Sequence, residues 1–231
     1  MILACSTYLQ TMDKTKILLD YLSQFLTDER KVQLNKVIDQ RTNHFAVALE
    51  NIYQPHNSNA VIRSCDCFGI QDCHVIETIN EFRFSKNVSK GATKWVNVHR
   101  HKGTTQAISA LRREGYQIVA TTPHTDDCNL EDFDVSKKSV FFFGAEKRGL
   151  SQTVLNEADV FLKIPMVGHT ESLNISVSAA IILQHVSRMI REENIAWQLT
   201  TEEKEILRLS FTKSSTKRLD DHLKVFEKSI I

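Results

Sequence analysis

Three stretches of this chain place polar side chains where a packed fold ordinarily keeps apolar ones. The first runs from Gln54-Pro55-His56-Asn57 to Gly69 just after an apolar run, and reads as a helix with Asn57 at its cap and Gly69 at its end. Arg63 stands six residues after Asn57 on turns that neighbours should bury, and a buried guanidinium requires partners. In the second, the apolar run Phe141-Phe142-Phe143 passes straight into Gly144-Ala145-Glu146-Lys147-Arg148-Gly149-Leu150-Ser151, so a buried strand ends on a lone carboxylate. The third, Lys163 to Ser176, reads as strand, irregular loop and helix start, with Ser172 as the cap and Asn174 inside the first turn. Unpaired backbone N–H groups at that helix start, together with Ser172 and Asn174, could hold a polar ligand. Taken singly, each stretch has a plain structural explanation: a cap, a solvated acid, a helix start. Hydrolysis through Ser151 or Ser172 is disfavoured, because neither lies in a G-x-S-x-G elbow or has a placed histidine partner.

The elements that must carry these residues follow from the hydrophobic pattern. Brief apolar runs at Phe45–Leu49, His74–Glu77, Gln117–Thr121, Ser139–Phe143 and Val160–Ile164 alternate with helical segments, which predicts an α/β fold with a largely parallel sheet covered on both faces. Ligands of such sheets collect outside the carboxyl ends of the strands, where Glu146 falls. After Ser172, Ile175, Ala179, Ile182, Leu183, Val186 and Ile190 repeat at helical spacing. Residues 13–41 read as two amphipathic helices, the second starting at Thr27-Asp28-Glu29, and Thr200-Thr201-Glu202-Glu203 opens a charged helical tail as a capping box. The expected organisation is a helical N-terminal extension over 1–43, a central domain over 44–193 and a helical C-terminal extension over 194–231. Lys213-Ser214-Ser215-Thr216-Lys217-Arg218 reads as a solvated hinge within that tail.

Composition narrows the partners. With 29 basic and 28 acidic residues there is no global field to attract nucleic acid, so any such contact must come from local clusters. No apolar run is long enough to span a bilayer. Met1 to Cys5 resembles a lipoprotein cleavage site, yet no basic leader precedes it, and the start before Met12 reads as ragged. Five cysteines without regular spacing argue against a disulfide framework and for a reducing cytoplasm. Cys65 and Cys67, two apart on a helix, point in different directions, so no metal site is expected there; His99 and His101 read as surface residues.

Together the three stretches resemble, in order and spacing, the three motifs of the SpoU (TrmH) branch of the SPOUT methyltransferases, over about Phe45 to Arg191. Pro55-His56-Asn57, Lys94-Trp95-Val96, Phe143-Gly144-Ala145-Glu146-Lys147 and Ser172-Leu173-Asn174 are similar to members of that branch acting on guanosine 18 of tRNA. The resemblance implies a deep trefoil knot in the C-terminal half, a homodimer with sites at its interface, and S-adenosyl-L-methionine held mainly by backbone groups at Thr121, Gly144, Ile164, Met166 and Leu173. The absence of any G-x-G-x-x-G loop agrees with a non-Rossmann mode of holding it.

The implied reaction is methylation of an RNA ribose 2′-hydroxyl. The resemblance assigns removal of the hydroxyl proton to Arg63, positioned by Asn57 and Glu146, with Asn174 near the methyl donor or ribose and Ser172 on the nucleotide. A guanidinium is a poor base, so the alternative is that Arg63 binds the adjoining phosphate and stabilises alkoxide character. Electrostatic RNA contacts are expected from Arg30, Lys31, Lys36 and Arg41 and from Arg188 and Arg191. Phe68 and the apolar side of the last core helix are the expected dimer packing. His169-Thr170-Glu171 departs from the more apolar loop of the tRNA guanosine members, and ribosomal RNA, an anticodon-loop nucleotide or a noncatalytic RNA-binding role stay open.

Overall fold

The computed structural model describes residues 14–78, 91–123 and 127–229, so Met1 to Cys5 lie outside the described residues. In chain order the elements are α1 (14–23), α2 (Asp28–Ile38), β1 (Thr42–Glu50), α3 (Pro55–Phe68), β2 (Ile70–Ile76), β3 (Asn97–His101), α4 (Thr104–Arg113), β4 (Gln117–Thr121), β5 (Cys128–Asn129), β6 (Ser139–Phe143), α5 (Gln152–Glu157), β7 (Val160–Lys163), α6 (Ile175–Glu192), α7 (Thr201–Ser215) and α8 (Leu219–Ser229). None of the helices is long and apolar enough to cross a membrane, among the described residues.

The chain divides into two compact units, one of residues 42–197 and one in which the segments through Arg41 and from Gln198 come together. The larger unit is an α/β fold around one parallel sheet in the order β3-β2-β1-β6-β4-β7-β5. Successive side chains of a strand point to opposite faces, and here both faces are covered, which is why the central strands carry unbroken apolar runs at 45–49, 118–120 and 140–143. Phe45, Val47 and Leu49 of β1, Val119 of β4 and Phe141 and Phe143 of β6 pack with Val61, Ile62 and Cys65 of α3 and with Ala179, Ile182, Leu183, Val186 and Ile190 of α6. The intervening Ala46, Ala48, Ile118, Ala120, Val140 and Phe142 pack with Ala107, Ile108 and Leu111 of α4 and Val154 of α5. β2 and β3 lie on one side of β1 while β6, β4 and β7 lie on the other, so the winding reverses between β1 and β6. A crevice at the carboxyl ends of the strands is expected at such a reversal.

The terminal extensions, read apart in the sequence, form one helical unit. Tyr21 meets Phe226 with ring centroids 5.0 Å apart, Lys204 pairs with Asp39 at 2.9 Å, and Arg208 Nε donates to Asn35 Oδ1 at 2.8 Å. Thr27 caps α2 by accepting from Arg30 N, and Thr200 and Glu203 form the capping box of α7. The tail is two helices, with Arg218 at φ 53° in the joint between them, within the stretch read as a hinge.

This unit also corrects part of the expected RNA surface. Arg41 is 1% exposed, with its guanidinium 5.6 Å from the centroid of the Phe211 ring, so it is a packing residue rather than an RNA contact. Arg30 donates to Ser215 Oγ and Gln33 Oε1, and Lys31 pairs with Asp28 at 3.0 Å, while Lys36 sits in the last turn of α2.

Candidate functional site

Two cavities open at the carboxyl ends of the central strands. The larger, about 600 Å³, lies over β4, β6 and β7 and is lined by Thr121 to Pro123, Phe143 to Leu150, Leu162, Ile164, Met166 and Ser172 to Ile175, among others. The smaller, about 430 Å³, sits at the reversal between β1 and β6 and is lined by Glu50 to Gln54, Asn57, Ala145 to Ser151 and Ile175. The segment Ala145 to Leu150 lines both, so one loop is the wall between them.

That wall is a tight turn. Ala145 N donates to Gly149 O at 3.1 Å and Gly149 N returns to Ala145 O at 2.7 Å, while Gly149 takes φ 65°, a conformation natural to glycine. The backbone of Gly149 and Leu150 comes so near Gly144 that a Cβ there would lie 2.2 Å from the nearest atom.

Glu146 projects from this turn into a ring of amides. Asn57 Nδ2 donates to Glu146 Oε1 at 2.7 Å, Asn174 Nδ2 donates to the same oxygen at 3.0 Å, and Asn174 Nδ2 also reaches Asn57 Oδ1 at 3.3 Å. The direction of the Asn174 amide is set by the helix it caps: Oδ1 accepts from Ser176 N at 2.8 Å and Ser176 Oγ at 2.6 Å, which turns the NH₂ toward the carboxylate. Asn57 is 2% exposed, so its polar atoms require protein partners; besides Glu146 it donates to Gln54 Oε1 at 3.2 Å.

Three positions differ from the sequence expectation. The cap of α3 is Gln54 with Pro55 in the first turn, and Asn57 lies inside the helix rather than at its start; α6 is capped by Asn174 and not by Ser172. Arg63 is exposed, lines neither cavity and makes no hydrogen bond or ion pair among the described residues. The reason is helical geometry: six residues turn a helix by about 600°, leaving Arg63 about 240° around the axis from Asn57, on the other face. The structure thus brings together Asn57, Glu146 and Asn174 and leaves Arg63 outside them. Thr121, Gly144, Ile164, Met166, Ser172 and Leu173 all line the larger cavity.

Two further expectations change. Arg191 is half-buried, stacks 4.8 Å from the centroid of the Trp197 ring and donates to Ser187 O, so it braces α6; Arg188 is held by Glu192 at 2.8 Å. The apolar side of α6 is buried within its own unit, leaving Val177 and Ile181 as the apolar residues that α6 exposes.

One residue escaped notice. Glu50, 2% exposed at the end of β1, accepts from Thr104 Oγ1 at 2.7 Å and Ser151 Oγ at 2.8 Å through Oε1, and from Ser151 N at 2.8 Å through Oε2. It therefore anchors the far end of the wall loop, where Ser151 caps α5. Its signal was present in the sequence, since β1, like β6, is an apolar strand that ends beside a carboxylate.

Residues 44–184 match the sequence profile of the SpoU rRNA Methylase family. The chain belongs to the SpoU methylase family. It is 40% identical over 196 residues to a tRNA (guanosine(18)-2'-O)-methyltransferase of Borreliella burgdorferi, covering 85% of this chain and 90% of that protein. In three dimensions this SpoU methylase is similar to the A. aeolicus TrmH/SpoU tRNA modifying enzyme, with TM-score 0.72 and 28% identity over 82% of this chain and 98% of that one. An AdoMet-bound rRNA methyltransferase from Sinorhizobium meliloti is similar at TM-score 0.56 and 25% identity, over 68% of this chain and 60% of that one.

Proposed function

We propose that this SpoU methylase transfers a methyl group from S-adenosylmethionine to a ribose 2′-hydroxyl of RNA, at guanosine 18 of tRNA, in the cytoplasm. The observation that carries this reading is the ring of Asn57, Glu146 and Asn174, which holds a carboxylate on the wall between two cavities. The larger cavity fits the methyl donor in size and in chemistry, with apolar Leu162, Ile164, Met166, Leu173 and Ile182 around strand ends that offer backbone groups. Thr121, Gly144, Ile164, Met166 and Leu173 would hold it. When bound, the donor supplies a methyl group on a sulfonium, a leaving group that needs no protonation.

The remaining work is placement, and orientation contributes roughly 7–11 kcal/mol to a two-reactant step. Asn57 and Asn174 fix Glu146 by one oxygen, leaving Oε2 free of any hydrogen bond among the described residues to orient the ribose; Ser172, on the lining of the larger cavity, contacts the part of the nucleotide turned toward the donor. Arg63 on the exposed face of α3 reaches a site only across an interface, so the functional unit is a homodimer packed on α3 and on Val177 and Ile181 of α6. There the guanidinium takes the adjoining phosphate bidentately and stabilises alkoxide character, the proton leaving to phosphate or water. We also infer the trefoil knot: β7 occupies the place between β4 and β5, which precede it in the chain, and α6 then returns to pack on α3.

The test is incubation with labelled S-adenosylmethionine and separated tRNA and rRNA, followed by mass-spectrometric mapping. Label in 2′-O-methylguanosine at position 18 of tRNA is expected; label confined to rRNA overturns the substrate, and none in either overturns the activity. Arg63→Ala and Glu146→Ala subunits, each inactive alone, should regain activity when mixed as dimers, and no regain counts against the shared site.

A further inference from the structure

We propose that the smaller cavity seats the target nucleotide, with its base stacked on Tyr53 and its flanking phosphates held by Lys147 and Arg148. The proposal rests on the reading of this site as an RNA ribose methyltransferase and goes on to say where the substrate lies. Its first support is position. A hydroxyl and the methyl group it accepts must approach to about 3–3.5 Å, so the acceptor nucleotide has to bind beside the donor cavity. The smaller cavity meets that condition, because Ala145 to Leu150 and Ile175 line both spaces and Glu146 stands on the wall between them.

The second support is Tyr53. Its side chain follows β1 at the rim of the cavity and is 78% exposed, in no ring pair or hydrogen bond among the described residues. The other tyrosines described have companions: Tyr21 packs on Phe25 and Phe226, and Tyr116 donates to Asn43 O beneath Lys138. An uncovered ring at the mouth of a cavity is a stacking platform, and single-stranded RNA bases are commonly recognised on such rings. Below it Ile52 and Ile175 offer apolar surface, and Gln54, whose Oε1 accepts from Asn57, retains its NH₂ for a base edge.

The third support is charge. Lys147 and Arg148 line both cavities, are exposed, and form no ion pair among the described residues, whereas Lys31, Arg112 and Arg188 are each matched with a carboxylate. Two unmatched cations beside an aromatic platform suit the anionic backbone of a nucleotide. Glu50, which also lines the cavity, keeps its charge but is 2% exposed with both oxygens engaged by Thr104 and Ser151, so it turns no free oxygen toward the phosphates.

The experiment has two arms. In the first, the protein is labelled with 3-fluorotyrosine and titrated with guanosine 5′-monophosphate; the ¹⁹F resonance that disappears in Tyr53→Phe should shift saturably while that of Tyr116 stays put. In the second, Tyr53→Ala should raise KM for tRNA by about 5- to 140-fold, the loss expected for one stacked base, with kcat and S-adenosylmethionine affinity little altered, and Tyr53→Phe should restore KM. A silent Tyr53 resonance, a wild-type KM in Tyr53→Ala, or a Phe variant as impaired as the Ala variant overturns the proposal. The titration needs no catalysis, so a protein that methylates tRNA without a Tyr53 response refutes the subsite alone, whereas absent methylation with an intact response refutes only the reaction.

Discussion

Gly144→Ala probes whether one rigid turn serves both cavities. An added Cβ would lie 2.2 Å from the carbonyl carbon of Gly149, 2.3 Å from its oxygen and 2.3 Å from Leu150 N, all backbone atoms that cannot rotate away. Ordinary contact needs about 3.4 Å or more, so one side of the turn must retreat by about 1 Å. That retreat breaks the paired bonds between Ala145 and Gly149, each contributing about 0.5–1.5 kcal/mol, for a total of about 1–3 kcal/mol. In a protein of this length that lowers Tm by roughly 2–12 °C. The larger effect is on geometry: Glu146 rides on the turn, and a displacement of about 1 Å from Asn57 and Asn174 is of the size that costs on the order of 100-fold in rate. The assay pairs calorimetric melting with titration of S-adenosylmethionine and tRNA methylation kinetics. Gly91→Ala is the control, because nothing lies within 4 Å of a Cβ there, and it should match wild type. A Gly144→Ala protein with wild-type donor affinity and methylation rate would refute the idea that the close approach at Gly144 sets the wall.

Glu50→Ala removes the acceptor of three hydrogen bonds and strands the Thr104 and Ser151 donors, so urea denaturation should show a loss of about 3 kcal/mol or more, with Glu50→Gln recovering part of it. Stability equal to wild type in Glu50→Ala would remove the anchor role. His74 supplies a pH dependence: burial first, and then neighbouring His99 and His101, press its pKa from 6.5 to about 3. The unfolded chain then takes up a proton below pH 6.5 that the folded chain refuses until near pH 3, so stability falls as pH drops through that window, by up to about 1.4 kcal/mol per unit. His99, raised by its hydrogen bond to Asp72, acts above that window, since its contribution is complete once the pH is below 6.5; burial alone would raise Asp72, but the hydrogen bonds from His99 and Asn97 together with nearby histidine charge hold it below the usual range, so it adds to the loss near the acid end. Urea midpoints between pH 6.5 and 4.5 should therefore fall steeply in wild type and less steeply in His74→Gln; equal slopes would exonerate His74.

What could be read from the sequence was whatever depends on neighbours along the chain. β4 and β6 were legible end to end because a strand covered on both faces carries an unbroken apolar run, and Gly69, Thr27 and the Thr200–Glu203 box were legible because caps are local. The pairing of the two extensions was not, since Tyr21 and Phe226 or Asp39 and Lys204 meet across most of the chain length. The stacked histidines needed the register of β2 on β3, which sets His74 opposite His99. Arg63 was not legible for a different reason: six residues along α3 turn it to another face from Asn57, so within one chain it is exposed and its place at a site depends on a second chain. Asn174 shows how a local rule becomes chemistry. A cap residue must aim its oxygen at the helix it starts, an amide carries its NH₂ beside that oxygen, and here the NH₂ therefore meets Glu146 Oε1 next to the amide of Asn57. Aspartate in its place would cap as well and yet set a carboxylate against a carboxylate, so the requirement for asparagine comes from the site and not from the helix.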